Sequence, residues 1–175
     1  MKHRLFLFVL LFAANYVGAQ NTQAFTFQGF VFQTYTIPVS GYYLLTAKGG
    51  EGGSCDSRIG GKGASMSCYY FFNEGEQLRI AVAGAGQSVV NTSDETPNGA
   101  GGGGASSIVL VNGNSYLPVL IAGGGGGAGN ARDGDAGQVT QIGTTGRKYD
   151  GQTGGSAGVA GGGGGSSNGD GTGGG

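Results

Sequence analysis

Read for hydrophobic alternation, the first half of the chain is a series of short strands. Phe25 and Phe27, then Phe30 and Phe32, alternate with Thr and Gln, and Gly29 breaks the phase as a bulge or tight bend. Gln33–Val39 continues as a second strand, with Pro38 marking an end or an edge, and Tyr42–Ala47 follows after Ser40-Gly41. Ala64–Phe72 is a further β-rich run, Asn73–Glu76 a turn, and Gln77–Ala83 alternates as a half-buried strand should. Two apolar runs, Ile108–Val111 and Leu117–Ala122, flank Asn112-Gly113-Asn114, and Asn-Gly between such runs is a strong hairpin signal. No segment sustains a helical period, so an all-β chain is expected.

What interrupts these strands is glycine. Gly99-Ala-Gly-Gly-Gly-Gly104 leads into the 108–122 hairpin and Gly123–Gly127 leaves it, while Gly49-Gly-Glu-Gly-Gly53 leaves the Tyr42–Ala47 strand. Glycine tracts that begin where buried strands stop belong to a folded body rather than to a linker. Glycine makes up 43 of 175 residues, with only Gly18 and Gly29 in the first forty. Aromatic residues run the other way, Tyr116 and Tyr149 alone following Phe72. The first half and the 108–122 hairpin must therefore supply the side-chain core. The second half must be ordered by its backbone, or not ordered.

After Gly127 a period of three appears. Gly134, Gly137, Gly143 and Gly146 share one register, with Thr140 as its miss, and Gly155, Gly158, Gly161 and Gly164 share another. Three residues per turn is the polyproline II period, and a strand of that helix has no internal hydrogen bonds. Its amides must pair with neighbours, and glycine at every third place lets the neighbours approach. A packed bundle of polyglycine-II-like helices and a flexible tail are the two readings. Only three prolines are present, which excludes collagen.

The N-terminus has the form of a secretory signal over residues 1–19. Lys2-His3-Arg4 is the basic region, Leu5–Ala14 the apolar core and Val17-Gly18-Ala19 the small-residue cleavage site. The rest, residues 20–175, reads as one glycine-rich β domain. Its formal charge is about −3, because losing Lys2 and Arg4 leaves seven basic residues against ten acidic ones. That balance does not favour nucleic acid as a partner, and no later run is long and apolar enough to span a membrane. Two cysteines in an exported chain read as a disulfide, Cys55 to Cys68. Closing that loop of about 14 residues would stabilise by roughly 3 kcal/mol. Asn91-Thr92-Ser93 is a possible glycosylation sequon in the polar loop 87–98.

Catalytic chemistry is not expected. The only histidine, His3, lies in the signal, so neither a Ser-His-Asp nor a Cys-His site can form. The GxGxxG matches within 123–129 lack the strand-turn-helix unit that holds a dinucleotide, and Lys62 is followed by Gly63 rather than by Ser or Thr. Asp133-Gly-Asp135 and Asn168-Gly-Asp170 fit no calcium-loop spacing and read as solvated turn acids. No metal and no cofactor are expected.

Taken in order, several blocks resemble the glycine-rich extracellular region of the anaplastic lymphoma kinase and leukocyte tyrosine kinase receptors and related secreted glycine-rich proteins. They are Tyr35–Val39, Gly49–Gly53 after a strand, Gly63–Phe72, Leu78–Gln87, Gly101–Ser106, Pro118–Gly126 and Gly158–Gly165. The resemblance implies a tumour-necrosis-factor-like β-sandwich interleaved with polyglycine II helices, binding protein ligands outside the cell. It also implies a domain that continues beyond the glycine run Gly171–Gly175, hence incomplete at its C-terminus. No kinase domain is present and no ligand-contact residue can be carried over. The leading expectation is a secreted or cell-surface, non-catalytic recognition module for a protein or glycan, with loops 87–98 and 128–150 on a glycine-rich scaffold. A truncated ectodomain of a receptor tyrosine kinase and a structural or ice-binding protein are the alternatives.

Overall fold

The computed structural model describes residues 21–90, 99–129, 132–140 and 142–146. Six strands are present in it: β1 (Gln33–Thr36), β2 (Gly41–Lys48), β3 (Ser65–Phe72), β4 (Gln77–Ala81), β5 (Ser106–Asn112) and β6 (Ser115–Ala122). The described residues contain no helix, so this part of the chain is all-β.

The strands form two antiparallel sheets, one in the order β1-β4-β5-β6 and the other β2-β3. Alternation decides what each strand buries. On β4, Leu78 and Ile80 point inward while Gln77 and Arg79 face out. On β5 Ile108 and Leu110 do the same, in register with Ile80 and Leu78. The β2-β3 pair lies across β5 and β6, and Phe72, Leu78, Ile80, Ile108, Leu110 and Leu120 form the heart of one core with Ile37, Ala47 and Ala122. Phe72 is fully buried, with the rings of Tyr43 and Tyr70 at 5.8 and 4.6 Å.

The predicted hairpin forms, with Asn112 paired to Ser115. Gly113 takes φ +58 and is the first of the two central residues, as in a type II′ turn. The turning dipeptide is therefore Gly113-Asn114. Pro118, which has no amide to donate, sits on the edge strand β6 where the register slips opposite Ile108/Val109.

The strand expected across Phe25–Phe32 does not form; residues 21–32 pair with no strand. Gly29 is at φ +85, and the bend it makes turns Phe27 and Phe30 toward each other, their rings edge-on at 6.2 Å. Phe25 packs edge-on against Tyr35 at 5.9 Å, so the alternation there reflects contacts with a sheet rather than a ladder.

Five strand ends adjoin glycine-rich segments that pack into a second body. The segments are 49–54, 59–64, 84–89, 99–104 and 123–129, with 132–137 beside them. Segment 49–54 lies at the middle. Its Gly49 and Gly52 amides donate to Ala64 and Gly61, and its Gly50 and Gly53 amides to Gly104 and Gly101. Its carbonyls at Gly50 and Gly53 accept from Gly125 and Ala128, and those at Glu51 and Ser54 from Gly86 and Val89. Each neighbour is met at steps of three residues, not the two of a β-ladder. The same step recurs where Gly61 and Ala64 donate to Gly126 and Gly123, and where Gly134 and Gly137 donate to Ile59 and Lys62.

At many positions these contacts leave no room for a side chain. A Cβ on Gly52 would collide with the Gly126 carbonyl, one on Gly103 with that of Gly50, and one on Gly125 with that of Gly61. Where the strands give way to the glycine body stands Ser106, the buried polar residue of the core region. Its Oγ donates to the Lys48 carbonyl at 2.6 Å and accepts from the Ala83 amide at 2.9 Å, joining the ends of β2, β4 and β5.

Candidate functional site

The residues singled out from sequence do not converge. Cys68 faces the core from β3, in register with Leu45, whereas Cys55 is buried in a separate small cluster with Ala100, Ala128 and Val89. The two are not joined by a disulfide. Cys55 instead sits in bridges with Arg58 and Val89, which fix it at the far end of the glycine body, its Sγ 4.0 Å from Asp56 Oδ2.

Asn91, Asn168, Asp170 and the signal residues 1–19 lie outside the described residues. Asp133 accepts a hydrogen bond from the Ile59 amide at 3.0 Å, and the Asp135 carbonyl one from Gly126 at 2.8 Å, so both serve the glycine body. Among the described residues no group of three or more His, Cys, Asp or Glu could hold a metal ion. No helix among them is long and apolar enough to cross a membrane. The loop expected at 87–98 begins inside the glycine body, since the Gln87 carbonyl accepts from Gly101 and the Val89 amide donates to Ser54.

What the fold does bring together is a set of exposed aromatic side chains. On the outer face of β2-β3, Tyr42 lies opposite Phe71 with rings edge-on at 5.2 Å, and Leu44 opposite Tyr69. Tyr42 and Tyr69 keep 77% and 72% of their surface exposed. Further along the same face Thr46 and Ser67 share a hydrogen bond of 2.9 Å. Half of this face is thus apolar and uncovered, and half is polar.

The second set lies on the outer face of the larger sheet and combines aromatic surface with charge. Arg79 points outward from β4, and its guanidinium carbon lies 5.0 Å from the Tyr116 ring centre and 5.8 Å from that of Phe32. Nη1 donates to the Tyr116 hydroxyl at 2.8 Å. Both ring distances are within cation–π reach. Arg79 is exposed, and among the described residues it makes no ion pair and no other side-chain hydrogen bond.

Beside it opens a cleft of about 290 Å³ between Phe27–Phe32 and the ends of β4 and β5. Phe32 is common to the cleft and the arginine stack. The side chains lining the cleft are apolar, including Phe27, Phe30, Val31 and Val82, and Phe30 stands wholly exposed at its mouth.

This cluster was not apparent in the sequence. Alternation on Gln77–Ala83 places Arg79 outward, but only the register Arg79–Val109–Pro118 brings β6 and its Tyr116 to the same face. Phe32 directly precedes β1, whose pairing with β4 sets Gln33 opposite Ile80. No protein-family model matches the chain, and no curated protein matches it either.

Proposed function

We propose that the chain is a secreted or cell-surface recognition module, without catalysis of its own, that binds an extracellular protein or glycan. The observation that carries this reading is the exposed cluster of Phe30, Phe32, Arg79 and Tyr116 around an apolar cleft. Aromatic residues and arginine are the side chains that concentrate binding energy at interfaces. Large apolar groups left in water on a folded surface mark interaction sites. The signal-like residues 1–19 support a location outside the cell.

In this reading the glycine segments are a bundle of polyglycine II helices and the two sheets a tumour-necrosis-factor-like sandwich. The step of three in the cross-segment hydrogen bonds and the carbonyl contacts that exclude a Cβ support the bundle. The packing of β2-β3 over β5 and β6 supports the sandwich. Such a scaffold holds its surface groups still, which lowers the entropy lost on binding.

The test is binding by the folded, secreted full chain to panels of extracellular proteins and glycans. Micromolar or tighter capture that falls at least about tenfold in a Phe32→Ala/Tyr116→Ala variant is expected. A folded chain that captures nothing at micromolar concentration would remove the reading.

A further inference from the structure

We infer that the Arg79 cluster takes an extended peptide segment carrying an aspartate or glutamate two residues from a bulky apolar side chain. The inference rests on the recognition reading above and names the ligand class of that surface. Three observations lead to it. Arg79 is exposed on the outer face of the sheet, where Nη1 to the Tyr116 hydroxyl is its one side-chain hydrogen bond among the described residues, and its orientation is already set by that bond and by the Phe32 and Tyr116 rings. A planar guanidinium fixed in this way matches a carboxylate, which it can bind through two parallel hydrogen bonds. The charge on the surface therefore asks for an acidic partner.

The cleft next to it asks for something else. Its side chains offer no hydrogen-bond partner, only Phe27, Phe30, Val31, Phe32, Val82 and the alanines at the strand ends. A sugar ring placed there would find only backbone groups, as at Gly29, Gly84 and Gly104, to meet its hydroxyls, and each hydroxyl buried without a partner would cost about 1–3 kcal/mol. A leucine or phenylalanine side chain carries no such cost. This favours peptide over glycan.

The spacing joins the two. Ala81, in the cleft wall, follows Arg79 by two residues on β4, so the two positions share a face about 7 Å apart. Side chains two apart on an extended peptide have the same spacing and the same sidedness. One such segment can set its carboxylate on Arg79 while its apolar side chain enters the cleft, with Phe32 in contact with both.

The experiment is an NMR titration of the nitrogen-15-labelled, secreted full chain with two end-blocked pentapeptides, TETLT and TQTLT. With TETLT, shifts at the Arg79 Nε–H and at the Ala81–Gly84 amides are expected, with an affinity about tenfold or more above that of TQTLT. Arg79→Gln should bring the two peptides to equal affinity. The glutamate-to-glutamine change lies in the probe, so the comparison does not depend on a variant that folds.

Equal affinity of the two peptides for the unaltered chain, or no shift at the cluster with either, would overturn the inference. A heparin hexasaccharide that shifts the same signals while TETLT does not would overturn the peptide class and leave the recognition reading standing. Failure of both probes, together with failure of the panels to be captured, would end both.

Discussion

The two sheets and the glycine body are held together by opposite means. In the sheets, order comes from side chains: Phe72, Leu78, Ile80, Ile108 and Leu110 are excluded from water by alternation across paired strands. In the glycine body almost nothing is available to bury except backbone, and order comes from amides that find carbonyls at steps of three. A core of side chains answers loss or gain by degrees, because neighbours can shift. A core of backbone tolerates no gain at all where the neighbour is a carbonyl that is itself hydrogen-bonded. Glycine thus does in one region what leucine and phenylalanine do in the other.

The sharpest way to break this comparison is to add one methyl group. Gly52→Ala would drive a Cβ into the Gly126 carbonyl. It is expected to destabilise by about 4 kcal/mol or more, a large part of the roughly 5–15 kcal/mol that holds an ordinary domain folded. Gly104→Ala is the control, because the nearest atom to its Cβ is 3.7 Å away. It should shift the urea midpoint only slightly. If both variants fold equally well, the glycine body is not close-packed.

In the sheets the corresponding change is a deletion. Phe72→Ala, at a fully buried ring, should cost about 3–5 kcal/mol, read from the same urea midpoints. Between the two bodies, Ser106→Ala removes the donor to Lys48 and the acceptor for Ala83. Leaving those backbone groups unpartnered should cost about 1–3 kcal/mol. Amide exchange then compares the regions directly. The Gly50, Gly53, Gly61, Gly101 and Gly125 amides should exchange as slowly as those of β4 and β5, and Gly113 at the hairpin turn quickly. Fast exchange across the glycine amides would mean that side-chain burial alone holds the molecule.

Much of the fold can be read from residue order. Alternation located β4, whose one face is buried, a β-rich run located β3, and two apolar runs around Asn-Gly located the β5-β6 hairpin. Glycine tracts starting at strand ends pointed to a packed body. Alternation misled at Phe25–Phe32, where a single glycine at positive φ turned the chain away from pairing. The Arg79 cluster could not be read at all, since Phe32, Arg79 and Tyr116 meet only through register across four strands. Pairing partners are a property of the sheet, whereas periodicity is a property of a segment.

The cysteines give the smallest expected effect and separate the two regions once more. A bond from Cys55 to Cys68 would tie the glycine body to the sheets through a loop of about 14 residues and add roughly 3 kcal/mol. In the structure each is instead committed to its own region, Cys68 to the β2-β3 pairing and Cys55 to the bridges with Arg58 and Val89. The expected outcome is that urea exposes two alkylatable thiols and that a reductant leaves the unfolding midpoint unchanged. A midpoint that falls on reduction, with no thiol to alkylate beforehand, would show that residues 55–68 close differently. The far end of the glycine body would then be covalently stapled to the sheets, and its hydrogen bonds would not be its sole means of order.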